Sequence, residues 1–111
     1  MAGKALFVIM SDDLRFDAGV IVAYNSIKNK RFDDLKVMFF GPSQMRLAKL
    51  EGDTKRMVQE LIQNKMVDSA CVGIADMMKI RPDLEKMGIT LMSAGDRIAY
   101  YLKEGYEIIT F

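Results

Sequence analysis

The stretch Val67-Asp68-Ser69-Ala70-Cys71-Val72-Gly73-Ile74-Ala75 is a short apolar run, and it contains the only cysteine of the chain. It is too short for a buried helix, and segments with helical periodicity lie on both sides of it. These features are typical of an interior strand in a parallel sheet. We therefore predict that residues 67–75 form such a strand, with Cys71 near its carboxyl end.

Other apolar runs alternate with segments of helical periodicity along the chain. The other predicted strands are residues 4–10, 36–40, 89–92 and 106–111. Helices are predicted at 15–28 and 43–50, from Asp53 or Thr54 onward, from Arg81 to Gly88 and from Ser93 to Gly105. Because each crossover helix covers a face of the sheet, this order predicts a three-layer α/β/α fold with a mainly parallel five-stranded sheet. The 111 residues suffice for one such domain.

The charge balance bears on the choice of partner. The chain has 16 Lys and Arg against 15 Asp and Glu, which leaves a formal net charge of +1. Such a balance gives no basic surface for nucleic acid or for an anionic membrane. No apolar stretch reaches membrane-spanning length, and the N-terminus shows no cleavable leader. We therefore expect a cytoplasmic protein that binds neither nucleic acid nor membrane.

The chain has one cysteine and no histidine. A single cysteine cannot form an internal disulfide, which suits a reducing compartment. Histidine is the commonest metal ligand and general base, so its absence argues against metal hydrolases and against Cys-His or Ser-His catalysis. We expect neither a metal nor a cofactor.

Ligands of open α/β sheets bind beyond the carboxyl ends of the strands. The turns that follow the first four predicted strands should therefore meet at one edge of the sheet, beside Cys71. We predict that Cys71 is the catalytic residue and that seven residues of these turns line a pocket around it: Ser11, Asp12, Gly41, Ser43, Gly73, Ser93 and Gly95.

Nucleotide and metal sites are the other functions to consider at this edge. The first turn carries two acids and no glycine, and the chain contains neither a G-x-G-x-x-G nor a Walker sequence, which disfavours a dinucleotide site. Asp12 and Asp13 could hold a divalent ion, but adjacent acids before a helix are more often caps of its N-terminus.

The role of Cys71 stays open between two interpretations. Unpaired cysteine is among the most frequently buried residue types and usually packs as a small hydrophobe. A reactive thiol would need a pKa lowered by a helix N-terminus or by a basic side chain. Burial among Ala70, Val72 and Ile74 would act in the opposite direction.

The methionine content bears on assembly. Ten methionines occur in the chain, and Met77 and Met78 are adjacent. Two consecutive residues cannot both face inward on a short helix, so at least one should lie on an exposed or subunit-contact face. This favours a homo-oligomer.

Four segments of the chain, taken in order, match the pattern of a known protein family. They are the apolar first strand, Val37-Met38-Phe39-Phe40-Gly41, Cys71 with Gly73, and the ending from Ser93-Ala94-Gly95-Asp96 to Ile108-Ile109-Thr110-Phe111. As a set, covering nearly the whole chain in order, they resemble the DsrE/DsrF-like family. The resemblance implies a parallel-sheet α/β/α fold, a homotrimer or homohexamer, and a sulfur relay in which one cysteine carries a persulfide. By resemblance that cysteine is Cys71, with a sulfur donor and a sulfur acceptor protein as partners. The alternative is a non-catalytic oligomeric or small-ligand binding protein in which Cys71 is a core residue.

Overall fold

A computed structural model describes residues 2–111, which form five strands and six helices. Strands and helices alternate, except that two of the connections between strands contain a pair of helices each. The elements in chain order are β1 (Ala2–Ile9), α1 (Leu14–Lys28), β2 (Phe32–Phe39), α2 (Pro42–Leu47), α3 (Gly52–Gln63), β3 (Val67–Cys71), α4 (Val72–Met77), α5 (Arg81–Lys86), β4 (Leu91–Met92), α6 (Ala94–Lys103) and β5 (Glu107–Thr110).

All the strand pairs of the described chain are parallel, and the sheet order is β4-β3-β2-β1-β5. The chain steps from β1 to β4 in one direction and then returns across the whole sheet to place β5 beside β1. Because parallel crossovers are right-handed, this reversal puts the last helix on the opposite face from the others. The three-layer α/β/α prediction with a parallel five-stranded sheet is confirmed.

The two faces of the sheet carry unequal cores. The first face packs against α1 to α5, with Phe16 of α1 stacked on Phe39 of β2 at a ring separation of 5.6 Å. The second face packs against α6 alone, where Tyr101 is buried in one cluster with Leu6, Val8 and Met38. All three of these strand residues are buried, so a single helix closes the centre of this face.

The boundary between β3 and α4 differs from the prediction. Residues 67–75 were expected to be one strand, but the strand ends at Cys71 and a helix begins at Val72. Ala75 is buried in the first-face core, and Met78, three residues later, packs against the same core. This spacing is helical, so tertiary packing outweighs the β-propensity of Val72 and Ile74.

The edge strand β4 is also shorter than expected. Only Leu91 and Met92 pair with β3, whereas residues 89–92 were predicted as a strand. Ile89 is buried in the first-face core without joining the ladder. On the side of β3 that faces β4, only Ala70 and Cys71 therefore have a paired strand beside them. None of the helices in residues 2–111 is long and apolar enough to cross a membrane.

Candidate functional site

The seven residues predicted to line a site all follow the carboxyl ends of neighbouring strands. Ser43 N–H donates to the Met10 carbonyl at 2.9 Å, and Ser43 Oγ donates to the Ile9 carbonyl at 2.6 Å, which joins the ends of β1 and β2. Cys71 is the register partner of Met92, which joins β3 to β4. The strand order thus places the following residues along one edge: Ser11 and Asp12, then Gly41 and Ser43, then Cys71 and Gly73, then Ser93 and Gly95.

Gln44, which is not among the residues predicted from the sequence, connects two of these turns. Its side chain is buried, accepts from the Gly41 N–H through Oε1 at 3.0 Å, and donates through Nε2 to the Cys71 carbonyl at 2.9 Å. Gln44 thereby fixes the backbone of the cysteine. The signal available in the sequence was its place as the third residue of a helix that begins at Pro42, a position where glutamine often bonds back to the cap residue.

Cys71 is the last residue of β3 and directly precedes α4. Its thiol is free and its side chain is half-buried. It packs with Phe40 and Ile98 against the second-face core, and a Cβ atom built at Gly73 would lie 4.0 Å from Sγ. The thiol therefore combines apolar packing on one side with partial exposure at the edge of the sheet.

The acids of the first turn have structural partners. Asp13 caps α1 by accepting from the Arg15 N–H at 3.0 Å, and it also binds the Arg15 guanidinium. The hydrogen bond from that guanidinium lowers the pKa of Asp13 to about 2. Arg46 of α2 donates to the carbonyls of Asp12 and Asp13 and binds Asp17 at 2.7 Å. In residues 2–111 no three carboxylate or thiol groups converge closely enough to hold a metal ion.

Two of the serine hydroxyls at this edge also have structural partners. Ser93 caps α6 by accepting from the Asp96 N–H, and buried Ser43 donates to β1 as described above. Gly41 has φ +86°, a conformation that suits glycine, where the chain turns from β2 into α2. The turns at this edge are thus held together by hydrogen bonds beside the thiol.

A second polar cluster lies beneath α6, away from the predicted residues. The ladder between β2 and β3 shifts by one residue, since Val37 pairs with Val67 but Met38 pairs with Ser69. This bulge leaves Asp68 under α6, where its carboxylate accepts two hydrogen bonds from Arg97, at 2.7 and 3.0 Å, and one from the Tyr101 hydroxyl at 2.7 Å. The cluster anchors α6 to the sheet.

The charge state of this cluster follows from its contacts. Burial alone would raise the pKa of Asp68, but hydrogen bonds from Arg97, Tyr101 and Ser69 outweigh burial and hold the pKa below its usual value. Burial and the neighbouring Asp68 carboxylate raise the pKa of Tyr101. At neutral pH the cluster is therefore an Asp68–Arg97 ion pair with a neutral tyrosine.

Three cavities of the described chain lie away from Cys71. One of about 350 Å³ is lined by Ser26, Lys30, Asp33 and Asp34, near the amino end of β2. Another of about 290 Å³ lies between α2, α3 and α5, and a smaller one of about 60 Å³ lies between α1 and α3. None of the three is lined by a residue of the predicted site. The edge at Cys71 is therefore distinct from these cavities.

A comparison with solved structures bears on the architecture of the chain. No family model matches the chain, and no curated protein matches it. A solved structure from Bacteroides thetaiotaomicron, the conserved protein of unknown function BT1422, superposes with a TM-score of 0.81 at 20% sequence identity. The match covers 97% of this chain and 95% of that one. At this identity the likeness shows a shared α/β fold.

Proposed function

We propose that this protein is a sulfur carrier that holds sulfane sulfur on Cys71 as a persulfide and passes it from a donor protein to an acceptor protein. One observation carries the proposal. The only thiol of the chain is half-exposed at the carboxyl edge of the sheet, on a backbone that Gln44 holds in place. The resemblance to the DsrE/DsrF-like family supports the same role.

The chemistry needs one nucleophilic sulfur and no cofactor. The Cys71 thiolate attacks the terminal sulfur of a donor persulfide, a new S–S bond forms at Cys71, and the donor leaves as a thiolate. In the second step an acceptor thiolate attacks the terminal sulfur of Cys71, and the Cys71 thiolate is released. Each step exchanges one S–S bond for another, so no external oxidant or reductant is consumed.

The surroundings of Cys71 bear on its reactivity. Phe40 and Ile98 pack on the same core as the thiol and limit its solvation. We propose that the protein acts in the cytoplasm as a homotrimer or homohexamer, and that a basic side chain of a neighbouring subunit or a partner favours the thiolate. The thiol should then react faster in the assembled protein than in an isolated subunit.

Cyanolysis tests the proposal. The protein is incubated with polysulfide, separated from the excess, and treated with cyanide, which takes a terminal sulfur and leaves as thiocyanate. We expect one thiocyanate per chain from the wild type and none from Cys71→Ala. The proposal would be contradicted if the native wild type yields no thiocyanate, whereas wild type that is unfolded before incubation with polysulfide does yield it. That result would show that the folded protein does not carry sulfur.

The packing of Cys71 favours a second candidate, a non-catalytic oligomeric or small-ligand binding protein in which the cysteine is a core residue. In that case Cys71→Ser should lower stability, because a hydroxyl would replace sulfur in an apolar contact. Alkylation timed against pH separates the two. A rate that follows an unperturbed or raised thiol pKa in the intact oligomer supports the packing role and contradicts the carrier.

A further inference from the structure

The 290 Å³ cavity between α2, α3 and α5 has an apolar side made by the first-face core. Leu47 of α2 is buried there, and Leu50 and Met87 are partly exposed and pack against the same core. The volume lies just below the range of about 300–1,000 Å³ that is typical of ligand pockets. The cavity therefore suits a small ligand with a short apolar segment.

Two lysines line the same cavity from different helices. Lys55 belongs to α3 and Lys86 to the last turn of α5, and both are exposed. Among residues 2–111, neither ammonium group takes part in an ion pair. Asp83 is the one acid that lines the cavity, so the lining has a net charge of +1 (two lysines minus one aspartate).

The other two cavities lack this combination. The 350 Å³ cavity has Lys30 beside Asp33 and Asp34, which gives a net charge of −1. The 60 Å³ cavity contains Lys28 with Glu60, which gives no net charge. Of these three cavities, the one between α2, α3 and α5 therefore combines an apolar surface with a lining of net positive charge.

We propose that this cavity binds a small amphipathic carboxylate. The apolar chain lies against Leu47, Leu50 and Met87, and the carboxylate lies between Lys55 and Lys86. The Gln59 amide, which also lines the cavity, can donate a further hydrogen bond. This site does not depend on the sulfur chemistry proposed for Cys71, since the cysteine does not line it.

Titration with sodium octanoate, followed by amide chemical shifts of the full chain, tests this proposal. The shifts should concentrate in residues 47–59 and 83–87. Octanoate should bind more tightly than acetate, which lacks the apolar chain, and more tightly than octylammonium, which carries the opposite charge. Raising the ionic strength should weaken octanoate binding, because the two ammonium groups are solvent-exposed.

Two double variants with the same change of net charge complete the test. Lys55→Gln with Lys86→Gln should weaken octanoate binding about fivefold, the effect of two exposed ion pairs of ordinary strength. Lys28→Gln with Lys103→Gln, which removes two lysines elsewhere, should leave the Kd unchanged, as should Cys71→Ala. Unchanged binding in the first variant, equal affinity for octylammonium, or shifts confined to other surfaces would overturn the proposal.

Discussion

At the residue scale, Asp68 shows how one inserted residue creates a specific contact. The bulge in β3 turns this carboxylate under α6, where its side chain is only 9% exposed. Removing a carboxylate from water is costly, and three donating side chains compensate for that cost. Arg97 retains 22% exposure, so solvent screens part of the attraction.

We expect Asp68→Asn to lower the free energy of unfolding by about 2 kcal/mol, because it removes a charge-assisted pair and leaves the Arg97 guanidinium without its carboxylate. Urea unfolding at neutral pH measures this change. Asp76→Asn is the matched control, since it breaks an exposed aspartate–arginine pair with Arg81. A loss in the control as large as that of Asp68→Asn would contradict the special role of the buried pair.

The lowered pKa of Asp68 also predicts a pH dependence. A carboxyl whose pKa is lower in the folded state stabilises the protein fully above its unfolded pKa of about 4, and this contribution is lost as the pH falls through the folded pKa. The stability difference between wild type and Asp68→Asn should therefore be constant from pH 7 to 5 and shrink toward pH 3. A difference that stays constant over the whole range would contradict the assignment.

At the element scale, the periodicity of the sequence predicts the order and type of the main elements. A helix buried on one side has apolar residues at helical spacing, whereas a strand buried on both faces is a continuous apolar run. Two features lie beyond such patterns. The change from β3 to α4 at Val72 depends on packing of Ala75 against residues that are distant in sequence. The neighbouring β-branched residues Val72 and Ile74 favour a strand, so the local sequence does not indicate the helix. The contacts of Asp68 with Arg97 and Tyr101 join residues 29 and 33 positions apart, so no local spacing reveals them.

Strand order likewise lies beyond the sequence pattern, because apolar runs do not show which strand pairs with which. The carboxyl ends of parallel strands share one edge of the sheet whatever the strand order. The prediction of a common edge therefore did not require the strand order, and the structure has at that edge Ser11, Gly41, Cys71 and Ser93. The role of Gln44 is not visible in any local sequence pattern, because its contact with Cys71 spans 27 positions.

The turn from β2 into α2 gives a prediction at this scale. Gly41 has φ +86° and ψ −139°, a region that is essentially restricted to glycine, and its N–H bonds to Gln44. We expect Gly41→Ala to lower the free energy of unfolding by about 2 kcal/mol. Gly95→Ala is the control, because a Cβ meets no atom within 4 Å at either position, whereas only Gly41 has a positive φ. If both variants unfold at the same denaturant concentration, the strain at Gly41 is not significant.

At the scale of the whole molecule, apolar side chains remain on the surface of a small domain. Met77 is 73% exposed and Met78 packs against the core, as the adjacency of the two predicts. Leu14 and Leu102 are also largely exposed, and the outer side of β5 is an unpaired edge of the sheet. Exposed apolar side chains and open strand edges are features that subunit contacts cover.

We therefore expect light scattering at micromolar concentration to give the mass of a trimer or a hexamer. The physical reason is burial of the exposed apolar side chains, and the number of subunits comes from the family resemblance. Met77→Lys tests whether the α4 surface takes part, and the solvent-exposed Lys103→Met change is a control that adds apolar area elsewhere. A monomer at this concentration would contradict the prediction of an oligomer.

Sulfur transfer to Cys71 is tested most directly by the intact mass of the native protein after incubation with a sulfane donor. If Cys71 carries sulfur, the mass should increase by one sulfur atom per chain, and this gain should disappear on treatment with a reductant and should not occur in Cys71→Ala. No mass gain in the folded wild type, or the same reducible gain in Cys71→Ala, would contradict it.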